Sequence, residues 1–311
     1  MELVRQMEVT SGMTVDRLVR EMEETGVLGA GRIARAVSVM SDLFSDAEYT
    51  VFLALAGPMV PGGLRRIVAD LVRQGYIDAV IASGANIVHD VVEALAYGGL
   101  KGSSPDDDEL RNSNYGRIGD IYIDMKGFES LERKVYAILD GLTRAPTARF
   151  STCDLIMEIG RTLDDDASIL KCAALRNVPV FSPGVTDSML GFHLWMYSQL
   201  NDMVLDPLQD MKRLSDMVYE SRKIGAIILG GGLPKHFIMG ASTLKNGLDA
   251  AIQITLDRPE GGSLSGAPLE EGISWRKIKP EGRAVTVISD ATIAFPVIVA
   301  AVLDRIRGDD G

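Results

Sequence analysis

A lysine two residues past a tryptophan, close behind a loop rich in glycine and serine, is the arrangement in this sequence best suited to covalent chemistry. Ser274-Trp275-Arg276-Lys277 follows the stretch Pro259–Pro268. An amine packed against an indole and partly desolvated has a lowered pKa, which frees it to attack an imine. A lysine taken blindly is a solvated surface cation; Lys277 stands out because Trp275 is one of only 2 tryptophans in the chain. His236 offers proton transfer near neutral pH, although a histidine at a helix start is about as often satisfied by backbone alone. It lies just past Gly230-Gly231-Gly232. Glycines let the backbone approach a pyrophosphate, and the helix that follows presents unpaired N–H groups and a partial positive charge. The triplet does not match GxGxxG, and glycine at such a turn often serves the turn alone. Asp187, Asp257 and Asp290 each follow a candidate strand, where they can bind ribose hydroxyls or an amine.

Those positions follow from the elements that carry them. Short apolar runs alternate with segments of helical period, the pattern of βαβ units and a parallel sheet. The expected strands are Thr50–Ala56, Ala79–Ala82, Val178–Ser182, Ala226–Leu229, Ala250–Thr255 and Val285–Ser289. Between them, Leu64, Ile67, Val68, Leu71 and Val72 form one helical stripe, and Leu155, Ile156, Ile159 and Leu163 another. Right-handed crossovers place such helices on both faces of the sheet, giving an α/β fold with a doubly wound, Rossmann-like parallel sheet flanked by helices. Ligands of such sheets bind beyond the carboxyl ends of the strands, where small residues and acids gather in this chain. Ahead of the first strand, Val15, Leu18, Val19 and Met22 give an amphipathic helix capped by Thr14. The expected organisation is an N-terminal helical arm over 1–45 and one large catalytic domain over 46–311. Lys101–Gly119, with Ser103-Ser104-Pro105 and three aspartates, reads as a surface loop.

The chain has 311 residues and a formal charge of −11. A field of that sign repels phosphate backbones, which disfavours nucleic acid as a partner, and attracts polyamines and basic protein surfaces. Cys153 and Cys172 make no disulfide framework, and His89, His193 and His236 are too scattered for a zinc site. With no signal peptide and no apolar run long enough to span a bilayer, the expectation is a cytoplasmic protein without metal or membrane.

Several segments together resemble deoxyhypusine synthase. They are Asn114-Tyr115-Gly116-Arg117-Ile118-Gly119, Val180-Phe181-Ser182-Pro183 with Thr186-Asp187, Ile227-Ile228-Leu229-Gly230-Gly231-Gly232 with Lys235-His236, Asn246-Gly247 with Asp249, Ser265-Gly266-Ala267, Ser274-Trp275 with Lys277-Ile278, and Asp290-Ala291 with Phe295-Pro296. The resemblance runs from about residue 48 to residue 304 and looks archaeal in its short length. It implies an NAD-binding homotetramer, a dimer of dimers, that transfers the 4-aminobutyl group of spermidine to a lysine of a translation initiation factor 5A-type protein. On that resemblance Lys277 is the imine-forming nucleophile and His236 the base. Ser83, Asp187, Gly230, Gly231, Asp257, Asp290 and Ala291 bind NAD, and Glu271 and Trp275 line the amine pocket.

Three positions depart from the family pattern. Leu264 stands where the family carries a carboxylate that faces the polyamine, and Phe192 and His89 stand at two further positions that are acidic in the family. A buried ammonium needs a partner, so these departures keep other readings open. One is homospermidine-like transfer to another amine, one is use of agmatine, and one is a non-catalytic NAD-binding paralogue.

Overall fold

The computed structural model describes residues 3–103, 106–143 and 148–309. Six strands form one parallel sheet. They are β1 (Tyr49–Leu55), β2 (Ala79–Ala82), β3 (Val180–Phe181), β4 (Lys223–Leu229), β5 (Leu248–Thr255) and β6 (Ile278–Ile288), in the order β6-β5-β4-β1-β2-β3. Every apolar run expected to be a strand is one. β1, β2, β4 and β5 are buried almost throughout, as continuous apolar runs in a sheet covered on both faces must be. β6 starts at Ile278 rather than Val285. It is an edge strand, and Lys279, Glu281 and Arg283 in its first half conceal it from a hydropathy reading.

The residues divide into two compact units, Met1–Ala54 with Ser215–Gly311, and Leu55–Leu214. In the first unit β5 pairs with β4 and β6 in parallel. The β5–β6 register is irregular: Leu248 faces Ile278, but the next pair is Ala250 with Arg283. The surplus residues of β6 bulge out of the ladder. Asp249 braces the bulge, accepting from Lys279 Nζ at 2.6 Å and from the Ile224 N–H at 2.8 Å. The helix Leu28–Ser45 packs on β5, β6 and the helix Ala291–Asp309. The N-terminal helix Val15–Thr25 packs on those same two helices. Thr14 caps it by accepting from the Arg17 N–H at 3.2 Å, and Arg305 pairs with its Asp16 and Glu23.

In the second unit β2 and β3 pair in parallel. The region expected to be a loop is partly regular. Asp106 accepts from the N–H groups of Asp108 and Glu109 and so starts the helix Asp107–Asn112; acids at a helix start are favoured by its positive end. Leu100–Lys101, Ile121–Asp124 and Tyr115–Ile118 form a small antiparallel sheet around it. Ser104 and Pro105 lie outside the described residues.

The same unit is tied together by a buried charge cluster. Arg65 Nε donates to Asp90 at 2.6 Å, and Arg65 Nη1 donates to Asp165 at 2.6 Å. Asp90 also accepts from Ser168 Oγ at 2.7 Å and from the N–H groups of Ile169 and Leu170, at the start of the helix Ile169–Arg176. Burial pushes the nearby Glu93 carboxyl up to about 7, against the pull of Arg65 at 3.9 Å. Because the folded pKa lies above the ordinary value of 4.5, the folded state holds more protons in that window. Stability therefore falls as pH rises from 4.5 through 7. Glu93→Gln should melt higher than wild type at about pH 8 and alike at about pH 4, as thermal melts at the two pH values would show.

Candidate active site

Lys277 immediately precedes β6, at the amino end of its strand rather than beyond a carboxyl end. Its backbone is moored on both sides. The Lys277 N–H donates to the Gly272 carbonyl at 2.8 Å, and its own carbonyl accepts from the Leu248 N–H at 3.0 Å and from Ser242 Oγ at 3.1 Å. The turn leading into it closes through the Trp275 N–H to the Gly272 carbonyl and the Arg276 N–H to the Ile273 carbonyl, with Arg276 at φ 57°. Lys277 Nζ lies 5.8 Å from the centroid of the Trp275 ring, within cation–π range. Trp275 is 71% exposed, so it stands at the open edge of the cavity it lines rather than in the core.

Gly247 makes the mooring possible. At φ 107° it is in a region that L residues avoid, and a Cβ there would stand 2.8 Å from Ile278 N and 2.9 Å from Lys277 C. Gly247→Ala should cost about 1–3 kcal/mol and displace the lysine's backbone. The melting temperature of that variant checks it; an unchanged value would mean that the turn relaxes freely.

Lys277, Trp275, Glu271, His236 and Leu264 line one cavity of about 410 Å³. Glu271 sits on the short 3-10 turn Leu269–Ile273, and His236 is exposed on the helix Gly232–Ser242. Glu271 is the one carboxylate among the described lining residues, and Leu264 contributes no charge. Phe192, 57% exposed on the helix Met189–Ser198, and His89, held edge-on to Phe128 at 6.2 Å, belong to the second unit.

The glycine turn leads from β4 into the helix Gly232–Ser242. Gly230 and Gly232 have φ of 78° and 57°, and no side chain caps the helix. A methyl group on Gly231 would collide with Ser265. An uncapped helix start at a glycine turn suits a phosphate group. The other candidate cofactor residues have local duties as well. Asp290 accepts from the Thr292 N–H and hydroxyl, each at 2.8 Å, at the start of the helix Ala291–Asp309, whose first residue Ala291 is buried. Asp257 accepts from Ser265 Oγ. In the second unit Ser83 caps the helix Gly84–Ala94, and Asp187 is exposed on the turn after β3.

Lys235, named in the sequence only as the neighbour of His236, has a role that its motif did not disclose. It is 1% exposed, and its Nζ donates to Gln253 Oε1 at 2.9 Å and to the carbonyls of Leu264 at 2.9 Å and Ala267 at 2.6 Å. Burial brings its pKa down to about 8; Glu271, Asp257 and Glu270 pull upward, and Lys277 pushes further down. The available signal was its place between Leu233-Pro234 and Phe237-Ile238-Met239, an apolar setting for a lysine.

Among the described residues no cluster of acids, histidines and cysteines could hold a metal, and no helix is long and apolar enough to cross a membrane. A sequence profile described as deoxyhypusine synthase matches residues 17–302. A protein of Methanothermobacter thermautotrophicus named "Probable deoxyhypusine synthase" is 48% identical over 97% of this chain and 98% of its own length. One of the same name from Methanopyrus kandleri is 45% identical over 94% of this chain and 95% of its own. A crystal structure of a "putative deoxyhypusine synthase" from Entamoeba histolytica superposes with a TM-score of 0.66 at 21% identity, covering 94% of each chain; at that identity it speaks for the fold. With the profile spanning most of the residues and close relatives spanning nearly all of them, the chain belongs to the deoxyhypusine synthase family.

Proposed function

We propose that this transferase uses NAD to move the 4-aminobutyl group of spermidine onto a lysine of a translation initiation factor 5A-type protein, through an imine on Lys277. The observation that carries the reading is the shared cavity of Lys277, His236, Glu271 and Trp275. NAD, when bound, would supply the reversible hydride acceptance that the transfer needs; the uncapped glycine turn at Gly230-Gly231 with Asp257, Asp290 and Ala291 would hold its phosphates and ribose, and Ser83 and Asp187 are the further candidates. Glu271 offers a charge to an ammonium group, and the Trp275 face covers a methylene chain or its cationic end. His236 takes the proton from the amine being oxidised. Lys277, as the free amine, adds to the oxidised carbon and expels 1,3-diaminopropane, leaving the butylimine on its Nζ. The acceptor lysine then displaces Lys277, which regains its amine. The reading extends to a cytoplasmic homotetramer.

Leu264 favours a second reading, in which agmatine replaces spermidine, because the described cavity lining keeps one acid to hold a cation. Intact-mass analysis with NAD and each amine, trapping imines with borohydride and mapping the adduct, separates the two. A Lys277 adduct from spermidine supports the first reading, and an adduct from agmatine alone supports the second. No adduct from any amine tried would sink both.

A further inference from the structure

We propose that Lys235 is a positioning residue whose side chain ties the wall of the amine cavity to the centre of the sheet and, through Gln253, to the glycine turn. The proposal rests on the reading above and deepens it by naming what sets the pocket's shape.

Each of the three ammonium protons of Lys235 has one acceptor: Gln253 Oε1, the Leu264 carbonyl and the Ala267 carbonyl. Gln253, fully buried in the middle of β5, uses its amide N–H groups in the same way, donating to the Gly230 carbonyl at 2.9 Å and the Ser265 carbonyl at 2.8 Å. Two side chains thereby fix three carbonyls of the segment after Pro259–Gly261 and one carbonyl of the turn that opens the helix Gly232–Ser242. Residues 262–268 contain no strand or helix, and apart from the Ala267 N–H to the Ser263 carbonyl the carbonyls of Leu264, Ser265 and Ala267 take their hydrogen bonds from these donors. Leu264 and Ala267 line the cavity, and their carbonyls are drawn inward to Lys235. A buried lysine bound only by neutral acceptors is costly, and a leucine or methionine would fill the space without that cost. The ammonium is the group that supplies three donors at one point.

Glu271 and Glu270 on the 3-10 turn and Asp257 after β5 favour the charged form, while burial and Lys277 oppose it. A neutral amine has two N–H groups for three acceptors. Raising the pH through about 8 should therefore release one tether.

Hydrogen exchange read against the intrinsic rate at each pH tests this without any assay of turnover. In Lys235→Met, protection of the amides at 262–267 should fall by about tenfold or more, while β4 and the second half of β5 keep theirs. The KM for the donor amine should rise by a similar factor, with the Lys277 adduct still formed at saturating donor; Lys235→Arg should recover part of both. Should Lys235→Met fold poorly, the wild-type protein gives the same answer, losing protection in 262–267 alone between about pH 7 and about pH 9. Unchanged protection in the variant and across pH would overturn the proposal. Failure of the wild-type protein to form any adduct would instead sink the functional reading, leaving the exchange result to judge the tether.

Discussion

Lys277→Ala is expected to lower transfer activity by at least about 10³-fold and to eliminate the borohydride-trapped adduct, with the fold intact. The two parts of that expectation have separate causes. Chemistry is lost because no other amine in the cavity can replace it: Lys235 is committed to three acceptors. The fold survives because what moors this position is its main chain, through the Gly272 carbonyl and the Leu248 N–H. Activity with a matched thermal melt checks both. A variant that keeps more than a few per cent of activity would move the covalent step elsewhere, and one that fails to fold would show that the side chain holds the turn.

The largest effect on stability is expected at Asp90, in the other unit. Its carboxylate is 1% exposed and holds Arg65, Ser168 and two helix-start N–H groups. Asp90→Ala leaves the buried Arg65 guanidinium with Asp165 as its one remaining carboxylate hydrogen-bond partner, at 2.6 Å, and strips the Ile169 and Leu170 N–H groups of their carboxylate acceptor. Removing one partner of such a pair costs about 3–5 kcal/mol. Arg65→Met should cost less than Asp90→Ala, since Ser168 and the N–H groups keep their acceptor. Denaturant titration of the two single variants and the double variant gives the coupling. Equal losses would mean that the ion pair alone carries the effect.

The parts of this molecule legible in sequence were those with a period. The runs that became β1, β2, β4 and β5 are apolar because both faces of the sheet are covered. The helix Val15–Thr25 announced itself through its stripe and Thr14. The Lys277 segment stood out through a rare residue type beside a loop. What escaped has no period. Lys235 is buried by acceptors 18, 29 and 32 residues away, and one residue in a motif carries no mark of that. The first half of β6 alternates charged residues on an edge and reads as loop. Asp106, Asp107 and Asp108 were read as solvated loop acids, although three acids in a row at a helix start are also a capping signal. The Arg65–Asp90 cluster joins residues from three segments, whose meeting only the fold reveals.

The bulge between the Leu248–Ile278 pair and the ladder that begins at Ala250–Arg283 separates two kinds of motion. Long, regular ladders open as one cooperative unit, whereas a pair set apart by surplus residues can open by itself. Lys277, the proposed nucleophile, is thus berthed beside a short joint instead of within the regular ladder of the sheet. Under the proposed imine chemistry Lys277 passes from donor to acceptor, and the strand that carries it on this short joint continues as the regular ladder of the core.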